Sequence, residues 1–256
     1  MLPNTRKKLS QNFLYSRKLV RELVAHSGIG IGDTVLEIGP GKGIITEALV
    51  EKAQTVIAVE LDPHWHQHLQ DKFKNTANFT LYRQDILKFK LPKRPYTVFA
   101  NLPFAIEGQI IRHLIEGPNP PKDSYLIIDA KLAHRLIAAN IQNQFSVLHQ
   151  PWFDFTIFHR FRPTDFEPVP NVQPVMLQIK LKESPLLPLS DRRKWTEFIL
   201  AGFAQGDLLH HNLEKIYPFN TVSKAMQELS QTKKFKPSHL TLSQWLRLYQ
   251  KLTDTN

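Results

Sequence analysis

Glu37-Ile38-Gly39-Pro40-Gly41-Lys42-Gly43 places three glycines at alternate positions behind an acidic residue. Residues without a Cβ let the main chain turn tightly and approach a ligand closely, so a nucleoside or nucleotide is expected against this segment. The G-x-G-x-G spacing differs from the dinucleotide fingerprint G-x-G-x-x-G and from the P-loop pattern G-x-x-x-x-G-K-[ST]. Roughly 20 residues on, Glu60 stands where a carboxylate can accept both hydroxyls of a ribose. Asp85-Ile86 adds an acceptor for an exocyclic amine and an apolar side chain for the face of an adenine ring.

Dinucleotides and S-adenosylmethionine both contain that ribose and adenine, and Asn101-Leu102-Pro103-Phe104 separates the two. The tetrapeptide resembles the Asn-x-Pro-aromatic signature of enzymes that methylate exocyclic amines. The lone pair of adenine N6 is delocalised into the ring, so attack on a methyl group requires the nitrogen to move toward tetrahedral geometry. The Asn101 side-chain oxygen and the Leu102 carbonyl can accept its two N–H groups and stabilise the positive charge that develops. Pro103 shapes the turn, and Phe104 offers a ring for stacking on the base during in-line displacement. No strong general base is needed, because the methylated nitrogen becomes acidic as it forms.

These residues sit at the ends of elements that the sequence also outlines. Thr34–Ile38, Thr55–Glu60, Phe79–Tyr82, Tyr96–Ala100 and Ser124–Asp129 read as short apolar strands. Helical patterns at 44–52, 62–73, 107–115 and 131–139 alternate with them. This alternation predicts an α/β fold with a doubly wound parallel sheet, which binds ligands beyond the carboxyl ends of its strands. Trp152–Arg160 and Val175–Leu181 predict a hairpin that closes the sheet. Ser184–Ser190 reads as a linker, so the expected domains are residues 1–183 for cofactor and catalysis, and residues 184–256 as a small all-helical domain.

The 256 residues are 42% hydrophobic and 22% charged, a composition that supports a packed core. Without cysteine, disulfides, thiolate metal sites and cysteine nucleophiles are excluded. His64, His66 and His68 lack an accompanying carboxylate triad, so no metal is expected. No apolar run approaches the ~18 residues of a membrane span, and a cytoplasmic, monomeric protein is expected. The net charge of +10 suggests a polyanionic partner.

The ordered motifs resemble the ribosomal RNA adenine N6-methyltransferases, the family of the Erm and KsgA enzymes. The resemblance runs through Leu9–Leu14, Glu37–Gly43, Val59–Asp62, Gln84–Leu87, Asn101–Phe104 and Phe166–Val172. It implies a Rossmann-like class I methyltransferase sheet with S-adenosylmethionine as cofactor. Asn12 and Leu14 would cover that cofactor, with Gly39, Gly41, Glu60, Leu61, Asp85, Ile86 and Asn101 completing its pocket. Phe166 would form a second wall of the adenine cage, opposite Phe104. Ser10 and Phe104 replace the glycine and tyrosine more usual at these places.

Pro185-Leu186, Asp191-Arg192-Arg193, Trp195 and Leu242–Leu246 are similar to the Erm branch. KsgA enzymes usually carry a Tyr-Asn pair after N-L-P and an Arg-Arg-Lys run, where this chain has Phe104-Ala105 and Ala204–Asp207. The resemblance thus implies methylation of one adenine of 23S rather than 16S RNA, with resistance to macrolide, lincosamide and streptogramin B antibiotics. A base must leave its stack to be methylated, which requires phosphate contacts around it. Lys7, Lys8, Arg17, Arg112 and Arg135 are the candidates, with Lys233–Lys236 as a further basic patch.

Overall fold

The computed structural model describes residues 12–138, 142–204, 208–229 and 235–253. In chain order the elements are β1 (Phe13–Leu14), α1 (Arg17–His26), β2 (Thr34–Ile38), α2 (Ile44–Lys52), β3 (Thr55–Glu60), α3 (Pro63–Lys72), β4 (Phe79–Arg83), β5 (Thr97–Asn101), α4 (Glu107–Glu116), β6 (Asp123–Asp129) and α5 (Ala130–Ile137). There follow α6 (Gln144–His149), β7 (Phe153–Arg160), β8 (Phe166–Glu167), β9 (Pro174–Leu181), α7 (Arg192–Gly202), α8 (Leu209–Leu213), α9 (Phe219–Glu228) and α10 (Leu242–Thr253). The described residues of Met1–Ala133 and Phe155–Leu181 form one compact unit, and those of His134–Asp154 and Lys182–Asn256 form a second.

The seven-stranded sheet runs in the order β4-β3-β2-β5-β6-β9-β7. Strands β4 to β6 are parallel, and β9 lies antiparallel to β6, with Leu126 opposite Leu177. The central strands are apolar on both sides because both are covered: Val35, Leu36, Val98, Phe99, Leu126 and Ile127 are fully buried. Each such side chain contributes roughly 1.5–3 kcal/mol by leaving water. From β2 the chain winds outward through β3 and β4, then returns to the other side of β2 as β5. The reversal leaves a crevice at the carboxyl ends of β2 and β5, which is where open sheets of this kind hold ligands.

Local chemistry starts the helices on this edge. The Ser16 side chain accepts the Leu19 N–H at the start of α1, whose Val20, Leu23 and Val24 form its buried stripe. Asp62 caps α3 by accepting the His64 and Trp65 N–H groups, with Pro63 fixing the first turn. A second, two-stranded sheet pairs β1 with β8, Phe13 opposite Glu167 and Leu14 opposite Phe166. These dipeptides are too short to show a period, and the second lies between the two strands of the expected hairpin.

The second unit packs around aromatic rings. Trp195 and Phe198 meet Tyr249 edge-on, and Phe198 meets Trp245 in the same way. Its membership corrects a single division after residue 183. His134–Asp154 belongs with the C-terminal helices, since the Trp195 indole donates to the Val147 carbonyl and the Trp152 indole to that of Leu187. Those contacts join residues 48 and 35 positions apart, which a reading of linkers along the chain does not register. Among the described residues, no helix is long and apolar enough to cross a membrane.

Candidate active site

A cleft opens at the carboxyl ends of β2 to β5 in the first unit. Asn12 and Leu14 line it, as do Gly39, Glu60, Leu61, Asp85, Ile86 and the whole of Asn101–Phe104. The structure thus brings residues from five separate stretches of sequence to one surface.

The glycine loop makes a tight turn between β2 and α2. Gly39, Gly41 and Gly43 have φ of +64°, +52° and +75°, a region that side chains with a Cβ rarely adopt. At Gly41 space adds a second demand: a Cβ there would stand 2.4 Å from Phe13 Cε1. Gly41 is therefore not in the cleft lining; its part is to let the Phe13 ring lie against the loop. Its N–H donates to Glu60 Oε2 at 3.1 Å.

Glu60 is 3% exposed, and its other oxygen, Oε1, accepts the Asp62 N–H at 2.9 Å. Burial raises its pKa above the usual carboxylate range, and the three main-chain N–H groups of Asp62, Gly41 and Leu61 pull it back. The Gly41 and Asp62 bonds fix one oxygen each, and the carboxylate they hold lines the cleft as an acceptor. Asp85 Oδ1 accepts the Leu87 N–H at 3.0 Å and starts a short turn of helix that carries the buried Ile86. An acceptor and an apolar side chain thus stand side by side in the lining.

Asn101 ends β5. Its Nδ2 donates to the Asn12 carbonyl at 2.6 Å, and among the described residues its Oδ1 accepts no hydrogen bond. The Leu102 N–H is tied to the Ile127 carbonyl at 3.1 Å, and the Pro103 carbonyl receives the Ile106 N–H at 3.0 Å. Phe104 is half-buried and lines the cleft with no aromatic neighbour among the described residues, so its ring is free to stack.

Phe166 is placed elsewhere. It is 1% exposed, meets Phe161 edge-on at 5.3 Å and joins the core cluster with Leu14, outside the cleft lining. β8 pairs with β1, and Phe166 packs in the core cluster that also holds Leu14.

Arg17 and Arg112 do not reach the cleft. Arg17 pairs with Glu47 at 3.2 Å and Arg112 with Glu116 at 3.2 Å, both on exposed surface. Arg135 is exposed in the second unit. Lys7, Lys8, Lys233 and Lys234 lie outside the described residues. Among the described residues no cluster of three or more His, Asp or Glu side chains is arranged to hold a metal ion.

Several residues of the site carry no distinctive sequence signal. Phe13 lines the cleft, meets Trp65 edge-on at 5.3 Å, and has the Lys42 ammonium 5.0 Å from its ring centre. Gln84, Ile106 and Ile110 also line it. Beneath the loop, Glu37 is 1% exposed and accepts the Thr46 hydroxyl at 2.7 Å. Desolvation pushes its carboxyl up to about 8, against the Thr46 hydrogen bond and with help from the nearby Glu60 charge. Position before the glycines singles out Glu37 in the sequence, but not its complete burial.

Comparison with known proteins follows this geometry. Residues 3–254 match the family described as ribosomal RNA adenine dimethylase. An rRNA adenine N-6-methyltransferase of Bacillus licheniformis is 35% identical over 178 residues, covering 69% of this chain and 62% of that protein, so the match spans under two thirds of the relative's length. The ribosomal RNA small subunit methyltransferase A of Chlamydia caviae is 30% identical over 258 residues, covering 97% of this chain and 92% of the other. The 23S rRNA methyltransferase ErmE has the same fold, with a TM-score of 0.82 at 23% identity over 94% of this chain and all of that one.

Proposed function

Because the chain belongs to the ribosomal RNA adenine dimethylase family, we propose that it methylates N6 of an adenine in 23S ribosomal RNA, using S-adenosylmethionine, and thereby confers resistance to macrolide, lincosamide and streptogramin B antibiotics. The observation that carries the chemistry is the Asn101 oxygen, left without a partner among the described residues, in one cleft with Glu60 and Asp85.

The cleft fits the cofactor by its donor set. Glu60 lines the cleft as a carboxylate acceptor suited to the ribose hydroxyls, Asp85 and Ile86 suit the adenine, and the Gly39 position has no heavy atom within 4 Å of where a Cβ would be. When bound, S-adenosylmethionine supplies an electrophilic methyl group on sulfur. Asn101 Oδ1 and the Leu102 carbonyl accept the two N–H groups of the substrate amine, which localises its lone pair for attack. The Phe104 ring stacks on the base, and the proton lost from the product nitrogen leaves to solvent. In this reading the first unit holds cofactor and base and the second contributes RNA contacts, with Lys7, Lys8, Arg17, Arg112 and Arg135 as the candidate phosphate contacts of a cytoplasmic enzyme.

The choice of 23S RNA is supported by the Erm-like residues Pro185-Leu186, Asp191–Arg193 and Leu242–Leu246, and by the 35% identity to the Bacillus relative. One observation favours a second reading, a 16S RNA enzyme: the small-subunit relative aligns over 97% of the chain. Incubation of the purified protein with tritiated S-adenosylmethionine and unmodified 23S or 16S RNA separates them. Label in one adenine of 23S RNA is expected; label confined to 16S RNA overturns the assignment.

A further inference from the structure

An asparagine side chain has two ends of nearly equal size and opposite function. Only the oxygen can accept an N–H from a substrate amine, so Asn101 works in one of its two flips and is inert in the other. The structure shows what makes the choice. Asn101 Nδ2 donates to the Asn12 carbonyl at 2.6 Å. In the opposite flip Oδ1 would face that carbonyl at the same distance, two acceptors in contact without a proton between them.

The Asn12 carbonyl is itself held in place. The Asn12 side chain donates through Nδ2 to the Pro168 carbonyl at 2.7 Å. The next two residues pair with β8, Phe13 with Glu167 and Leu14 with Phe166, and the Tyr15 hydroxyl donates to the Thr164 carbonyl at 2.8 Å. Leu14 is buried in the core, which anchors the strap from below. A chain of fixed contacts thus runs from the segment 164–168 through Asn12 to the amide of Asn101.

We propose that Asn12 is a positioning residue for methyl transfer: its main-chain carbonyl, held by its own side chain on Pro168, sets which end of the Asn101 amide is offered to the substrate. This rests on the assignment of Asn101 to amine recognition, and goes beyond a covering role of Asn12 over the cofactor. The two roles differ in their signature. A cover that only contacts cofactor changes its KM or Kd, whereas a residue that sets the Asn101 flip changes kcat.

The test uses Asn12→Ala, which removes the donor to Pro168, and Asn12→Gln, which keeps one. In the unliganded full-length protein, the side-chain amide protons of Asn101 are followed by NMR with labelled asparagine, assigned by their loss in Asn101→Asp. Slow exchange is expected in the parent, at least tenfold faster exchange in Asn12→Ala, and partial return in Asn12→Gln. In methyl transfer, kcat should fall at least fivefold in Asn12→Ala while KM for cofactor and RNA stays within twofold. Unchanged Asn101 exchange, or a loss confined to cofactor KM, overturns the proposal. Should Asn12→Ala fail to fold, Asn12→Asp, which sets an oxygen against the Pro168 carbonyl, is read by the same criteria. Because the NMR measurement needs neither cofactor nor RNA, it stands or falls separately from the assigned reaction.

Discussion

The two sides of the cleft are built differently. On the glycine-loop side the fixing bonds are short-range in sequence: Glu60 takes the Asp62 N–H two residues away and that of Gly41 19 away, and Asp85 takes the Leu87 N–H two away. On the Asn101 side they are long-range, 89 residues from Asn101 to Asn12 and 156 from Asn12 to Pro168. Closing a long loop costs more entropy than closing a short one, and that cost must be met by contacts elsewhere in the fold. The glycine-loop side is thus organised by its own motifs once the sheet forms. The Asn101 side is complete only when the strap at 12–15 has docked on the segment 164–168. Binding and chemistry should accordingly be separable by mutation.

The sharpest break in that comparison is Asn101→Ala. Removing an acceptor that acts on developing charge should slow single-turnover methyl transfer by about 10²–10³-fold, with cofactor affinity by calorimetry changed only a few-fold. Equal losses in both would mean that the two sides act as one unit.

Gly41→Ala should damage both sides, because the loop and the strap touch there. The new Cβ would need an unfavourable φ of +52° and would press on Phe13 at 2.4 Å. A loss of about 1–3 kcal/mol in stability is expected in chemical denaturation, with weaker cofactor binding. A variant as stable as the parent would show that the Phe13 strap yields at no cost.

A further effect is a pH dependence of the glycine-loop side. The Glu37 carboxyl, pushed up to about 8 from an ordinary 4.5, holds a proton in the folded chain that the unfolded chain has released. Its contribution to stability is complete below pH 4.5 and is lost as pH rises through about 8. Glu37→Gln should therefore gain Tm relative to the parent between pH 5 and 9 in thermal melts. A constant difference across that range would place the proton elsewhere.

The motifs were legible because their residues act through local rules. Three alternating glycines imply a tight turn, an acid at a strand end implies a ligand for hydroxyls, and apolar runs alternating with helical periods imply a parallel sheet. Phe166 shows what such reading does not reach. Its place in a shared motif suggested a stacking wall, and its packing against Phe161 and in the core with Leu14 has no local sign in the sequence. Sequence gives a side chain's type and its neighbours along the chain, and Phe166 is directed by a partner strand more than 150 residues away, since it pairs with Leu14.

The same reason limits the domain reading. The prolines and serines of 184–190 mark a boundary that any pass along the chain finds, whereas the return of His134–Asp154 to the C-terminal helices rests on the indole bonds of Trp152 and Trp195. By itself the sequence determined the parallel sheet and picked out, at the ends of its strands, residues that line one cleft. Only the tertiary structure decided that Phe13 lies on Gly41, that Glu37 is sealed from water and that the Asn12 carbonyl faces the Asn101 amide. Those contacts join residues with no local reason to meet, and packing alone brings them together.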